Sequence, residues 1–249
     1  VTAALTGRYN LTDRLQVDVK VPWVRRQDST ISRPLSTGAS QDAEFTADGS
    51  GLGDIEAGAH YQFTDGLGAL PILVANVRVK SRTGKDPFEV PLEPSGSDFA
   101  GLESELPTGN GFWAVEPSVT AIIPSDPVVF FATAGYQWNI KRTITSENVN
   151  SGASTEIDPG DAFKVGMGFG FGINERASFN LGYDHAFVFK STQNGQDILN
   201  SDLQVGTFST GVAYRLNKNM NMNVSLGIGV TDPAPDAQLM LRIPYKFGN

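Results

Sequence analysis

Two histidines are the only side chains in these 249 residues with an unperturbed pKa near neutrality, and with no cysteine there is no thiol chemistry. His60 stands among Asp54, Glu56 and Gln62, where an imidazole could serve as a general base or a metal ligand. A metal would want a second His or Cys nearby, and none follows, so His60 reads as a polar lining group. His185 could activate a serine, as in a lipid-cleaving enzyme, but the serine must be hydrogen-bonded to it. No His-x-Ser-Asn-Gly-like stretch supplies one. The segment 82–110 carries Asp86, Glu89, Glu93, Asp98, Glu103 and Glu105 against Arg82 and Lys85. These carboxylates lack the Asp-x-Asp-x-Asp-Gly order of a calcium loop and read as a solvated acidic loop. No catalytic residue, metal site or cofactor is expected.

The elements that must carry these residues are strands. Val1, Ala3, Leu5, Gly7, Tyr9 and Leu11 alternate with Thr2, Ala4, Thr6, Arg8 and Asn10, and Leu15, Val17, Val19, Val21 and Trp23 alternate with Gln16, Asp18 and Lys20. A period of two is the signature of strands with one apolar face. The same pattern predicts nine more strands near 52–63, 70–81, 111–123, 128–141, 162–173, 177–190, 203–216, 220–230 and 237–247. In the strand from 203 the apolar parity slips between Val205 and Phe208, which predicts a bulge near Gly206.

Connections alternate short (12–14, 64–69, 124–127, 174–176, 217–219) and long (25–51, 82–110, 142–161, 191–202), with a shorter one at 232–236. That is the pattern of an all-β, up-and-down antiparallel transmembrane β-barrel, with short turns in the periplasm. Eleven strands leave the first and last parallel, so an upstream strand is expected to complete twelve. The expectation is one barrel domain over 1–249, with that strand and any plug or periplasmic region lying upstream.

Glycine is abundant, with 27 residues, and only 18% of residues are charged. No apolar run approaches the ~18 residues of a membrane helix. A formal charge of −8 argues against nucleic acid, whose phosphates need a basic surface. A soluble barrel would show the same alternation, but eight strands already make an interior that side chains can fill. With eleven or twelve strands the apolar face must meet a lipid bilayer, and the other face lines a pore. That lining comprises Arg8, Asp18, Lys20, Asp54, Glu56, His60, Arg78, Lys80, Glu116, Lys141, Lys164, Asp184, Arg215, Arg242 and Lys246, nine cations against five anions. Gly168 and Gly170, within a ladder from Gly166 to Gly172, make the lining thin there. An aromatic girdle is expected from Trp23, Trp113 and Trp138 at the long-loop end, and from Tyr9, Tyr61, Phe63, Tyr214, Tyr245 and Phe247 at the short-turn end.

The stretches YNLTDRLQVDVKVPWV (9–24), GSGLGDIEAGAHYQF (49–63) and LPTGNG (106–111) resemble a family of outer-membrane transporters labelled as the phenol-degradation meta-pathway type. The resemblance implies a bacterial outer-membrane location. Because the family includes a Pseudomonas pore that secretes functional-amyloid subunits for biofilm, it also implies a secreted amyloid polypeptide as partner and a homotrimer. Mixed luminal charge suits passive passage of such a polar chain in extended form. The rival expectation is uptake of small aromatic or hydrophobic compounds, with Ile72, Val74, Phe112, Ile122, Phe131 and Val188 as an apolar luminal patch.

Overall fold

A computed structural model describes residues 1–32, 43–66, 70–94, 99–146 and 153–247. Alternation becomes one antiparallel wall whose strands are β1 (Thr2–Asn10), β2 (Leu15–Ser32), β3 (Ala43–Leu52), β4 (Glu56–Gln62), β5 (Ile72–Lys80), β6 (Ala114–Pro124) and β7 (Val128–Asn139). The chain then forms the short β8 (Arg142–Ile144) and β9 (Thr155–Asp158), the wall strands β10 (Ala162–Gly172) and β11 (Ala177–Val188), and the short β12 (Thr192–Gln193) and β13 (Gln196–Asp197). The wall ends with β14 (Leu203–Arg215), β15 (Asn221–Gly229) and β16 (Ala237–Arg242).

Neighbours in the wall follow the order β1, β2, β4, β5, β6, β7, β10, β11, β14, β15, β16, with β3 also on β2. Each is antiparallel to the next. β1 and β16 therefore run the same way and stand as two edges, exposed throughout. The short turns are tied by local side chains. Thr12 Oγ1 accepts from the Arg14 and Leu15 amides, Asn174 Oδ1 from Arg176 and Ala177, and Asn217 Oδ1 from Asn219, the usual way Thr and Asn fix a reversal.

Three strand expectations need correction. The span 25–51 is not a plain loop, because β2 runs to Ser32 and pairs with β3 from Ser32↔Ala43 to Trp23↔Leu52. No bulge lies at Gly206, since β14 pairs with β11 in unbroken register from Leu203↔Val188 to Tyr214↔Ala177. Gly206 instead keeps its outer-face place, and a Cβ there would crowd the Tyr183 hydroxyl, Val230 and His185. Leu203 and Val205 simply lie on the inner parity. A bulge does occur between β3 and β4. Trp23 faces Leu52 and Lys20 faces Glu56, so two residues of β2 oppose Gly53, Asp54 and Ile55. The last strand is also shorter than expected, ending at Arg242, although an isolated Met220↔Tyr245 bridge continues its register.

The wall has no dry core. Leu5, Val19, Trp23, Val77, Val119, Phe130, Met167, Val212 and Leu226 are all exposed. The buried hydrophobic side chains among the described residues are Val24, Ala47, Val90, Phe112, Ala114, Ile144, Ala162 and Ala234, every one at the long-loop end. A soluble barrel would bury its apolar face; here that face is open along the strands and requires lipid.

Candidate functional site

Pairing register defines the face opposite the lipid. One row runs Arg8, Asp18, Gly58, Arg78, Glu116; the next runs Lys20, Glu56, Lys80, Ala114. Alternate positions share a face, so the charges predicted for the lining meet as a belt at the long-loop end. Lys20 Nζ lies 3.0 Å from Glu56, and Arg78 lies 3.7 Å from Glu56 and 4.0 Å from Glu116. Lys164 Nζ is 2.6 Å from both Glu116 and Gln137 Oε1. Glu56, Arg78, Lys80, Glu116, Gln137 and Lys164 border a cavity of about 160 Å³.

Below the belt a polar string crosses five strands. His60 Nε2 is 2.7 Å from Asp18 Oδ1 and its Nδ1 is 2.8 Å from Asn76 Oδ1. Asn76 donates to Thr120 Oγ1 at 3.2 Å, and that hydroxyl lies 3.0 Å from the Thr133 hydroxyl. Gly58 leaves the space that the Asp18 carboxylate occupies. With both ring nitrogens engaged, His60 is a link in this string rather than a free base. Among the described residues no cluster of His, Asp and Glu has the makings of a metal site.

Toward the short turns the same face becomes apolar. Ile72, Ile122, Phe131, Gly168 and Gly182 form one row, with the Phe131 ring lying over both glycines. Gly168 is thus covered, while Gly170 and Gly172 are open. Asp184 keeps the inner parity, its carboxylate over Gly166. Arg215 sits at a short turn, its amide bonded to Arg176 O, and Arg8 and Arg242 occupy the two edge strands.

Other expected lining residues are corrected. Lys141 follows the end of β7 and pairs at 3.0 Å with Glu156 of β9, within the four-stranded outer sheet β13-β12-β9-β8. Asp54 does not present a free carboxylate. Its Oδ1 accepts from the Gly84 amide at 3.1 Å and its Oδ2 from the Asn110 amide at 2.9 Å. Thr108 ties the same knot, donating to Leu52 O at 2.7 Å and accepting from the Lys85 amide at 2.9 Å.

The bulge explains why this loop lies inside. It puts odd residues of β3 on the face that carries even residues of β4, so Gly49, Gly51 and Gly53 form a stripe opposite Arg26, Val24 and Pro22. Leu106 and Thr108 lie against those glycines, and a Cβ at Gly49 would meet the Leu106 carbonyl oxygen. The segments 83–86 and 106–110 of the loop are therefore packed onto the inner face, and the expectation of a wholly solvated acidic loop fails at Asp86 while Glu89 remains exposed. Asp86 is 2% exposed and paired with Arg142 Nη1 at 2.7 Å, and Phe112 is buried against Phe88. Phe112 accordingly leaves the proposed luminal patch. Asp98 lies outside the described residues.

On the outer face Trp23, Trp113 and Trp138 are exposed toward the long loops, and Tyr9, Tyr61, Phe63, Tyr214, Tyr245 and Phe247 toward the short turns. His185 is also on this face, its Nδ1 2.8 Å from the Tyr183 hydroxyl. Arg142, Phe88 and Thr108 carry this arrangement, yet no charge or period pattern marks them; the alternate glycines of GSGLG were the available signal, since glycine in a strand marks close backbone approach.

An antiparallel wall with a lipid-facing exterior and a charged, loop-covered interior defines the class of outer-membrane β-barrel channels. Residues 7–247 match the family described as "Putative MetA-pathway of phenol degradation", and the chain belongs to that family. Its fold is similar to the COG4313 outer membrane channel from Pseudomonas putida F1, at TM-score 0.66 and 15% identity over 98% of this chain and 81% of that one. The NanC porin aligns at TM-score 0.49 and 10% identity, over 98% and 99% of the two chains. A Pseudomonas aeruginosa FadL homologue aligns at 0.45 and 13%, over 98% and 65%. The protein's place is the bacterial outer membrane.

Proposed function

We propose that the protein is a passive channel for small solutes, with Asp18, Lys20, Glu56, His60, Arg78, Lys80, Glu116 and Lys164 lining its path. The carrying observation is the loop segment 106–110, laid along the glycine stripe of β3 above a belt of bridged charges. A folded loop on the inner face leaves room for small molecules more readily than for a polypeptide with its side chains. The family's phenol-degradation description agrees with solutes that have aromatic bodies, for which Ile72, Val74, Ile122 and Phe131 offer contact. Exposed Trp and Tyr at the two ends serve as interfacial belts.

Reconstituted in planar bilayers, the full chain should give steady conductance, and in proteoliposomes it should admit a pentose faster than a disaccharide. Silence in both assays rejects the reading. A second reading is export of extended amyloid subunits, as in the Pseudomonas pore FapF that the sequence resembles. The open wall at Gly170 and Gly172 favours it. Surface display of a Gln/Asn/Gly-rich polypeptide that depends on this protein would establish export, and its absence in conducting cells would leave the small-solute channel.

A further inference from the structure

The belt holds more cationic donors than its carboxylates use. Lys20 is engaged by Glu56, and Lys164 by Glu116 and Gln137. Arg78 stands 3.7 and 4.0 Å from Glu56 and Glu116, beyond hydrogen-bonding distance. Lys80 forms no ion pair among the described residues. Both side chains lie on one face of β5, two residues and so about 7 Å apart, and both border the cavity of about 160 Å³. Three cations and two carboxylates line that cavity, a local excess of positive charge in a chain whose formal charge is −8.

The rest of β5 orients what would bind. From Arg78 toward the short turns its inner face reads Asn76, Val74, Ile72, passing from donors to apolar contact over roughly 13 Å between Arg78 and Val74. Ile122 and Phe131 adjoin that apolar end.

We propose that Arg78 and Lys80 form a subsite for the carboxylate of a small organic anion, whose body extends from them down the inner face past Asn76, in the direction of Val74. An Arg fork beside a Lys ammonium matches a carboxylate by charge-assisted hydrogen bonds. The proposal rests on the channel reading and adds its solute class.

The test is single-channel current through the full-length protein with benzoate, benzyl alcohol or inorganic phosphate as the added solute. Benzoate should interrupt the current at concentrations where benzyl alcohol and phosphate do not. Lys80→Gln and Arg78→Gln should each weaken that interruption about tenfold, the size of one charge-assisted hydrogen bond. Lys80→Arg should retain it, separating lost charge from misfolding, and Lys218→Gln in a short turn should leave it unchanged. Equal benzoate response in wild type, Lys80→Gln and Arg78→Gln overturns the subsite while leaving the channel intact. Phosphate acting as strongly as benzoate overturns the organic-anion assignment. A wild type that conducts nothing overturns the channel reading and the subsite together.

Discussion

Arg78 and Arg142 each face carboxylates, and they do opposite work. Arg142 donates from Nη1 to Asp86 at 2.7 Å and to Gly111 O at 2.7 Å, with its guanidinium over the rings of Phe88 and Phe112 at 5.6 and 5.8 Å. Its side chain is 16% exposed, and its Nε is buried with no partner. Arg78 is 56% exposed and meets its carboxylates only at 3.7 and 4.0 Å. Buried pairs cost desolvation and hold one geometry, while wet pairs are worth little and remain exchangeable. The loop pair is a clasp; the wall pair is available to a passing solute.

The clasp is where the comparison breaks most sharply. Asp86→Ala leaves a buried guanidinium without its anion and should cost about 3–5 kcal/mol, read as lost hydrogen-exchange protection across 82–110 and 142–144. Asp86→Leu with Arg142→Met should recover most of it, because paired hydrophobic replacements of buried ions are often neutral. If Asp86→Ala leaves protection unchanged, the clasp has no role in holding the loop inside.

The wall is tested by neighbours on opposite faces. Val19→Arg puts a charge into lipid and should cost about 2–4 kcal/mol near the bilayer midplane, measured by refolding into lipid vesicles. Asp18→Arg on the inner face should cost far less. Equal costs would reject the assignment of faces.

Gly168 and Gly170 sharpen the picture inside the wall. A side chain at Gly168 meets the Leu181 carbonyl oxygen and the Phe131 ring, while a Cβ at Gly170 would make only an ordinary contact with the Phe179 carbonyl oxygen at 4.0 Å. Overpacking typically costs about 1–3 kcal/mol, so Gly168→Leu should lower refolding stability by that amount and Gly170→Leu by less. If Gly170→Leu alone blocks passage in the conductance assay, the open glycine wall is part of the path.

Much of this was legible in the sequence for a physical reason. Period-two alternation is local, so the eleven wall strands and the sharing of one face by Asp18, Lys20, Glu56, Arg78, Lys80 and Glu116 could be read along the chain. Lys141 departs from the period because the strand ends at Asn139, and parity does not extend past a strand end. The parity slip near Gly206 implies a bulge only if every apolar residue faces lipid, whereas Leu203 and Val205 lie inside. The Asp86–Arg142 clasp joins residues 56 apart in sequence, and no local period encodes such a meeting. The knot of Asp54 with Gly84 and Asn110 is equally long-range, although its motifs, GSGLGD and LPTGNG, were the same segments that carried the family resemblance.

The smallest energetic effect belongs to Glu116, and it is the most informative about the belt. Glu116 bridges Lys164 at 2.6 Å and lies 4.0 Å from Arg78; its own side chain is 15% exposed but that of Lys164 is 38% exposed, and an amide oxygen at 116 can still accept from the Lys164 ammonium. A partly wet pair of this kind contributes about 0–1 kcal/mol, so Glu116→Gln should scarcely change refolding. The amide nearly preserves volume and removes one of the two carboxylates bordering the cavity. With Arg78, Lys80 and Lys164 then facing Glu56 alone, the reversal potential under a KCl gradient should shift toward anions, more at low salt than at high because salt screens exposed charge. Lys80→Gln should shift it the opposite way. If Glu116→Gln instead unfolds the wall while leaving selectivity unchanged in the fraction that refolds, the pair is a clasp like Asp86–Arg142, and the distinction between the two arginines fails.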